Sequence, residues 1–203
     1  MFKLSHINYL LYLCAITLGS CVKSEEASTY ETIPITAGDL VFRKGIGVKT
    51  QAVLRADSMG IYSHTGIVVM QDSVLKVVHI TPGERPQGEQ VDRIKIESIA
   101  DFWRKDRAQH GAVYRLKENR LSKAASEQAL RLLKKGVLFD HDYELEDSTK
   151  MYCTELVWYA YTQVGEDISF GKRSVLNMPL YGGTYIFPSD IYTNSEFRLI
   201  YKF

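Results

Sequence analysis

The sequence predicts an α+β domain built on an antiparallel sheet, with helices packed against it. Apolar and β-branched residues with period-two spacing are concentrated between residues 62 and 116. Two helix-period segments follow at residues 122–135 and 150–164, and no internal repeat or low-complexity stretch interrupts them. Strands that cluster early with helices beside them suit α+β better than an alternating parallel fold.

Taken in order, residues 37–43 read as a turn leading into a short strand, and residues 45–57 as a helix carrying Val48, Ala52 and Leu54. Residues 62–70 and 74–80 flank Gln71-Asp72 and read as a hairpin. Residues 91–96 alternate as an amphipathic strand, 98–104 suggest a short helix, and 111–116 another strand. Ala125, Ala129, Leu132 and Leu133 lie on one side of the helix at 122–135. A Gly- and Pro-bearing loop follows the second helix, and residues 197–201 form a last strand.

The 203 residues suit one domain, and +1 net charge favours neither nucleic acid nor an anionic membrane face. The first 20 residues read as a secretion signal: Lys3 and His6, then an apolar run too short for a span of about 20 residues. Leu18-Gly19-Ser20-Cys21 resembles the lipobox of bacterial lipoproteins, which implies a lipid attached to Cys21. Residues 21–35 then read as a tether, and residues 36–203 as the folded domain. This organisation predicts a monomer in the cell envelope, lipid-anchored to the outer membrane on its periplasmic or surface side.

Cys14 and Cys21 belong to the leader region, so Cys153 stands alone in the mature domain. Ser148 or Thr149 can cap a helix that places Cys153 near its first turn, where free N–H groups and the dipole favour a thiolate. Cys153, Leu156, Val157, Ala160 and Val164 follow one helical stripe, so the thiol ends a buried face. An inert core cysteine needs the same placement, and a partner decides between the two. On the hairpin, Tyr62, His64, Gly66 and Val68 share a face by alternation, as do Leu75, Val77 and His79. A loop of even length puts His64 beside His79, with position 64 opposite position 79 if the loop is Gln71-Asp72. Gly66 would clear the cleft face for a substrate. Cys, His and a third polar group form the set that nucleophilic acyl transfer needs. No metal spacing such as CxxC or HExxH is present, and no cofactor is expected. The 13 tyrosines are many for this length, and Tyr62, Tyr143 and Tyr152 stand near these motifs as candidates to line a substrate cleft.

Gly38-Asp39-Leu40-Val41, Ser63-His64-Thr65-Gly66-Ile67 and Tyr152-Cys153-Thr154-Glu155-Leu156-Val157 together resemble circularly permuted NlpC-type papain-like hydrolases, the YiiX-like group most closely. The histidine strand precedes the cysteine helix, as in the permuted group. The resemblance implies a papain-like fold, Cys153 as nucleophile, His64 as base and His79 at the third position, where many of these proteins carry an acid. It also implies that Phe139-Asp140-His141-Asp142-Tyr143 leads toward the cysteine and that Glu155 is structural. The function expected is cleavage of amide bonds in envelope peptides, including those derived from peptidoglycan. The alternatives are a lipid acyl hydrolase or acyltransferase with the same dyad, and a non-catalytic binding lipoprotein.

Overall fold

The turn between the two histidine-bearing strands sets the geometry of everything near them. Asp72 and Ser73 both take left-handed backbone conformations, with φ of 52° and 62°. Such a two-residue turn matches the right-handed twist of the strands it joins. A computed structural model describes Tyr30 and residues 32–85, 88–145, 147–176 and 182–203. The segment read as a leader and Cys21, the residue expected to carry a lipid, lie outside the described residues.

Along the chain, β1 (Leu40–Lys44) and α1 (Val48–Ala56) precede the hairpin of β2 (His64–Gln71) and β3 (Val74–His79). Then come β4 (Lys95–Ser98), α2 (Ile99–Phe102), β5 (His110–Leu116), α3 (Ser122–Lys135) and the short β6 (Leu138–Phe139) and β7 (Lys150–Met151). The last elements are α4 (Cys153–Thr162), β8 (Ser174–Leu176), β9 (Gly183–Tyr185), α5 (Pro188–Tyr192) and β10 (Phe197–Lys202). Six strands form one antiparallel sheet in the order β10-β5-β1-β2-β3-β4. The α+β expectation with an antiparallel sheet against helices holds.

One sheet face, with Leu40, Phe42, Ile67 and Val78, is covered by α3 and α4 through Ala129, Leu132, Leu156 and Val157. The other, with Val41, Val68, Val77 and Val113, is closed by Phe102 and Trp103. Each such fully buried aliphatic side chain stabilises the fold by about 1.5–3 kcal/mol. The Gly38-Asp39 motif is a structural corner. Asp39 is buried and accepts from Arg115 Nε at 2.7 Å and from the Thr36 N–H at 2.8 Å. Gly38 has φ of 92°, and a Cβ there would lie 2.4 Å from Ser122. Packing also reaches back into the segment that the sequence assigns to the tether. Ile35 is buried, and the Tyr30 ring lies 5.2 Å from Trp103.

Candidate active site

The helix that carries the thiol starts later than the Ser/Thr pattern suggests. Tyr152 occupies the N-cap position and Cys153 is the first helical residue, because residues 150–151 pair with β6 instead. Glu155 stands three residues after the cap and its carboxyl accepts from the Tyr152 N–H at 3.2 Å. A side chain at this position therefore serves one of the donors that a helix start leaves free. Glu155 is buried, and desolvation pushes its carboxyl up to about 8. This agrees with a structural role.

The half-buried Cys153 directs its sulfur toward backbone N–H groups of Thr65, Thr154 and Cys153 itself. Thr65 directly follows His64, so the cysteine helix meets the histidine strand where β2 begins. Burial nevertheless pushes the thiol above its ordinary range, and the N–H donors offset this only in part. The sequence-based expectation of a thiolate near neutral pH is thereby corrected. The helix start supplies favourable dipoles, but removal from water outweighs them.

The histidines are neighbours, though not through the pairing expected. Gln71 pairs with Val74, so the turn is Asp72-Ser73 rather than Gln71-Asp72, and the register moves by two residues. Parity survives the shift, so both rings still share a face. His64 lies diagonal to His79, and His64 Nε2 sits 2.8 Å from His79 Nδ1. Gly66 takes the place beside His79. A Cβ there would lie 2.6 Å from Val77 Cγ1 and 3.0 Å from His79 Cβ. The missing side chain therefore makes room for the histidine within the sheet, not for a substrate.

Arg43 pairs with His64 across β1 and β2, and both are buried. Its Nη1 donates to the Phe102 carbonyl at 2.8 Å, and its Nη2 meets Glu84. Burial, with the positive charges of Arg43 and Lys95 and the neighbouring His79, drives the His64 imidazole well below its ordinary pKa. Burial lowers His79 to about 4 against the opposing pull of Glu97. His79 Nε2 lies 2.9 Å from Glu97 Oε1, a close contact that is bent away from the N–H axis. Lys95 Nζ and Arg107 Nη1 hold the other oxygen of Glu97 at 2.9 and 3.0 Å, and both also reach Glu84.

Cys153, His64 and Arg43 line one cleft of about 700 Å³. Tyr143 and Tyr152 line it too, with ring centroids 5.6 Å apart, as the sequence suggests. Tyr62 does not. Its ring packs in the core against Phe42 and Tyr192, with centroids at 5.8 and 5.2 Å. The cause is local: the Ser63 N–H binds the Arg43 carbonyl at 3.0 Å, although Arg43 already pairs with His64. This extra residue acts as a bulge and reverses the alternation before His64. In the segment after β6, Asp140 accepts from the N–H groups of Asp142 and Glu144, which fixes a turn. Phe139, His141 and Tyr143 line the cleft from that turn.

Sequence reasoning missed the charged group behind the histidines: Arg43, Glu84, Lys95, Glu97 and Arg107. A partial signal exists, because Lys95 and Glu97 share the polar face of the alternating segment around Ile94 and Ile96.

A helix-borne cysteine meeting a buried histidine pair from an antiparallel sheet, with histidine first in the chain, defines a permuted papain-like thiol hydrolase. The chain belongs to the family described as permuted papain-like amidase enzyme, YaeF/YiiX, C92 family, whose model matches residues 34–201. Membership makes it an enzyme of the thiol amidase or peptidase type. Among solved structures it is similar to the metalloprotein yiiX from Escherichia coli O157:H7. That match has a TM-score of 0.65 and 19% identity, and covers 83% of this chain and 97% of the other. No curated protein matches.

Proposed function

We propose that this enzyme cleaves amide bonds of cell-envelope peptides, with Cys153 as nucleophile, His64 as general base and His79 as the group that orients His64. The observation that carries this reading is the meeting of the Cys153 sulfur with the Thr65 N–H, one residue from a His64 ring bonded to His79 at 2.8 Å. Thiol and imidazole are both neutral at rest. The thiol proton passes to His64 as sulfur attacks the carbonyl carbon, and the same proton then goes to the departing amine. N–H groups of Thr65, Thr154 and Cys153 stabilise the thiolate as it forms, in a site where removal from water strengthens each of these bonds. Peptides from peptidoglycan are the substrates that best suit a cleft walled by Tyr143 and Tyr152. A diacylated Cys21 would hold the enzyme at the envelope membrane.

The similar solved structure is titled a metalloprotein. Here His79, Glu84 and Glu97 offer ligand atoms within 4.8 Å of one another. Both glutamates, however, already face Lys95 and Arg107, and Glu84 faces Arg43 as well. Three cations against two carboxylates leave no negative charge for a divalent ion to neutralise. The residues do not fit a metal, and no step is drawn through one.

Turnover of muropeptides by the full chain tests the proposal. Cys153→Ser should lower it by at least about 10³-fold with the fold intact, as loss of a nucleophile does elsewhere. A variant that kept its turnover would remove Cys153 from the mechanism. Hydrolysis of acyl-lipids but not muropeptides would transfer the assignment to ester chemistry.

A further inference from the structure

The site extends one residue beyond the histidine pair. His64, His79 and Glu97 stand on three successive strands, and each is displaced by two residues from direct pairing with the next. Gly66 is the residue opposite His79, and Lys95 is the residue opposite it on the other side. The three side chains thus form a diagonal from the cleft into the sheet, linked at 2.8 and 2.9 Å. His79 is fully buried, and among the described residues its ring nitrogens face His64 Nε2 and Glu97 Oε1.

We infer that Glu97 is a positioning residue that fixes the proton positions of both imidazoles and so leaves the Nδ1 lone pair of His64 free for the Cys153 thiol. An ionised carboxylate only accepts, so His79 must carry its proton on Nε2. A neutral His79 then accepts at Nδ1, and His64 must donate there from Nε2. A neutral His64 is left with an unprotonated Nδ1, the atom that can take the thiol proton. The charges facing the chain keep each member in its state. Burial opposes it, but contact with His79 and Lys95 holds Glu97 ionised, well below the usual carboxylate range, and Arg107 Nη1 stands 3.0 Å from its carboxylate. Arg43 and Lys95 face the histidines and oppose their protonation, while Glu97 supports His79 alone. Glu84 makes its ion pairs with Arg43, Lys95 and Arg107, and His79 is also close enough to act on its charge. Glu97 never needs to take the proton: when His64 becomes an imidazolium, the ordered His79 dipole and the carboxylate behind it stabilise the charge. In its place, a group that can also donate would let His79 turn its proton toward His64 and block the base. The effect of Glu97 on turnover rests on the proposed Cys–His mechanism, whereas its effect on proton positions does not.

The test reads tautomers directly, by nitrogen NMR of the full chain labelled at the ring nitrogens of its five histidines. Wild type should show both His64 and His79 protonated at Nε2 and bare at Nδ1. In Glu97→Gln the His79 signal should become a mixture of tautomers, and kcat on muropeptides should fall about 10- to 100-fold at nearly constant KM. That fall is smaller than loss of a directly bonded orienting group, because Glu97 acts through one more ring. Glu97→Asp should recover the wild-type tautomers in part. A wild-type His64 with its proton on Nδ1 would overturn the inference without any variant having to fold. So would unchanged tautomers in Glu97→Gln. If the tautomers behave as stated while Cys153→Ser keeps its turnover, the ordering by Glu97 stands and the catalytic reading alone fails.

Discussion

Two glutamates, the half-buried Glu97 behind the histidines on the sheet side and the buried Glu155 at the start of the cysteine helix, end in opposite states. Glu97, on the sheet side, faces Lys95, Arg107 and His79 and stays ionised. Glu155, on the helix side, accepts a backbone N–H, and burial raises it to about 8, with the charges of Asp140 and Asp147 pushing the same way. Burial acts on both in the same direction, and the partners decide the outcome. The sheet side is a fixed-charge environment that controls imidazoles. The helix side is a neutral one, which suits the protonated resting thiol of the proposed mechanism.

Lys95→Met tests the sheet side hardest. It removes a nearly buried cation from two carboxylates, and breaking such a pair on one side costs about 3–5 kcal/mol. Urea unfolding should show that loss, and an unchanged midpoint would mean that Glu97 does not depend on its cations. The second test contrasts the two sides by pH. Glu155 is raised in the fold, so its contribution is full below the unfolded carboxyl pKa and is lost as pH rises toward about 8. His79 is lowered to about 4, so it costs stability as pH falls below about 6.5. These trends overlap with opposite sign, and the difference between Glu155→Gln and wild type isolates the first. From pH 5 to 8 the variant should gain on wild type by up to about 1.4 kcal/mol per pH unit. A pH-independent difference would mean that Glu155 is ionised after all. The smallest effect belongs to Arg107→Gln. Arg107 is 24% exposed, so solvent screens its contacts with Glu84 and Glu97, and unfolding should shift by about 1 kcal/mol or less. A loss as large as that of Lys95→Met would show that the pair acts as one unit.

The fold was largely legible because its signals are local. Helix-period spacing marks residues 122–135 with the bounds that α3 takes, and β-branched runs place the hairpin. The site was legible as far as short-range pattern reaches. Cys153 at a helix start and two histidines on one hairpin face are separated by known periods. Tyr62 was misplaced because one bulge at Ser63 reverses an alternation, and nothing in composition announces it. Glu97 stayed hidden because its role depends on β4 lying beside β3, and Arg43 because β1 lies beside β2. These are pairings between strands distant in sequence, and they emerge only when the sheet is assembled.

The two-residue turn at Asp72-Ser73 also limits how such a protein can change. Each side chain of the diagonal is aimed by counting residues along a strand, so length is part of the site's specification. Adding one residue to the turn would send His79 to the helix-covered face and leave Glu97 without its neighbour. Adding two would move the histidine along its strand but keep it on the right side. Loop growth in this hairpin is therefore expected in even steps, a constraint on descent that falls on a segment with no part in the chemistry.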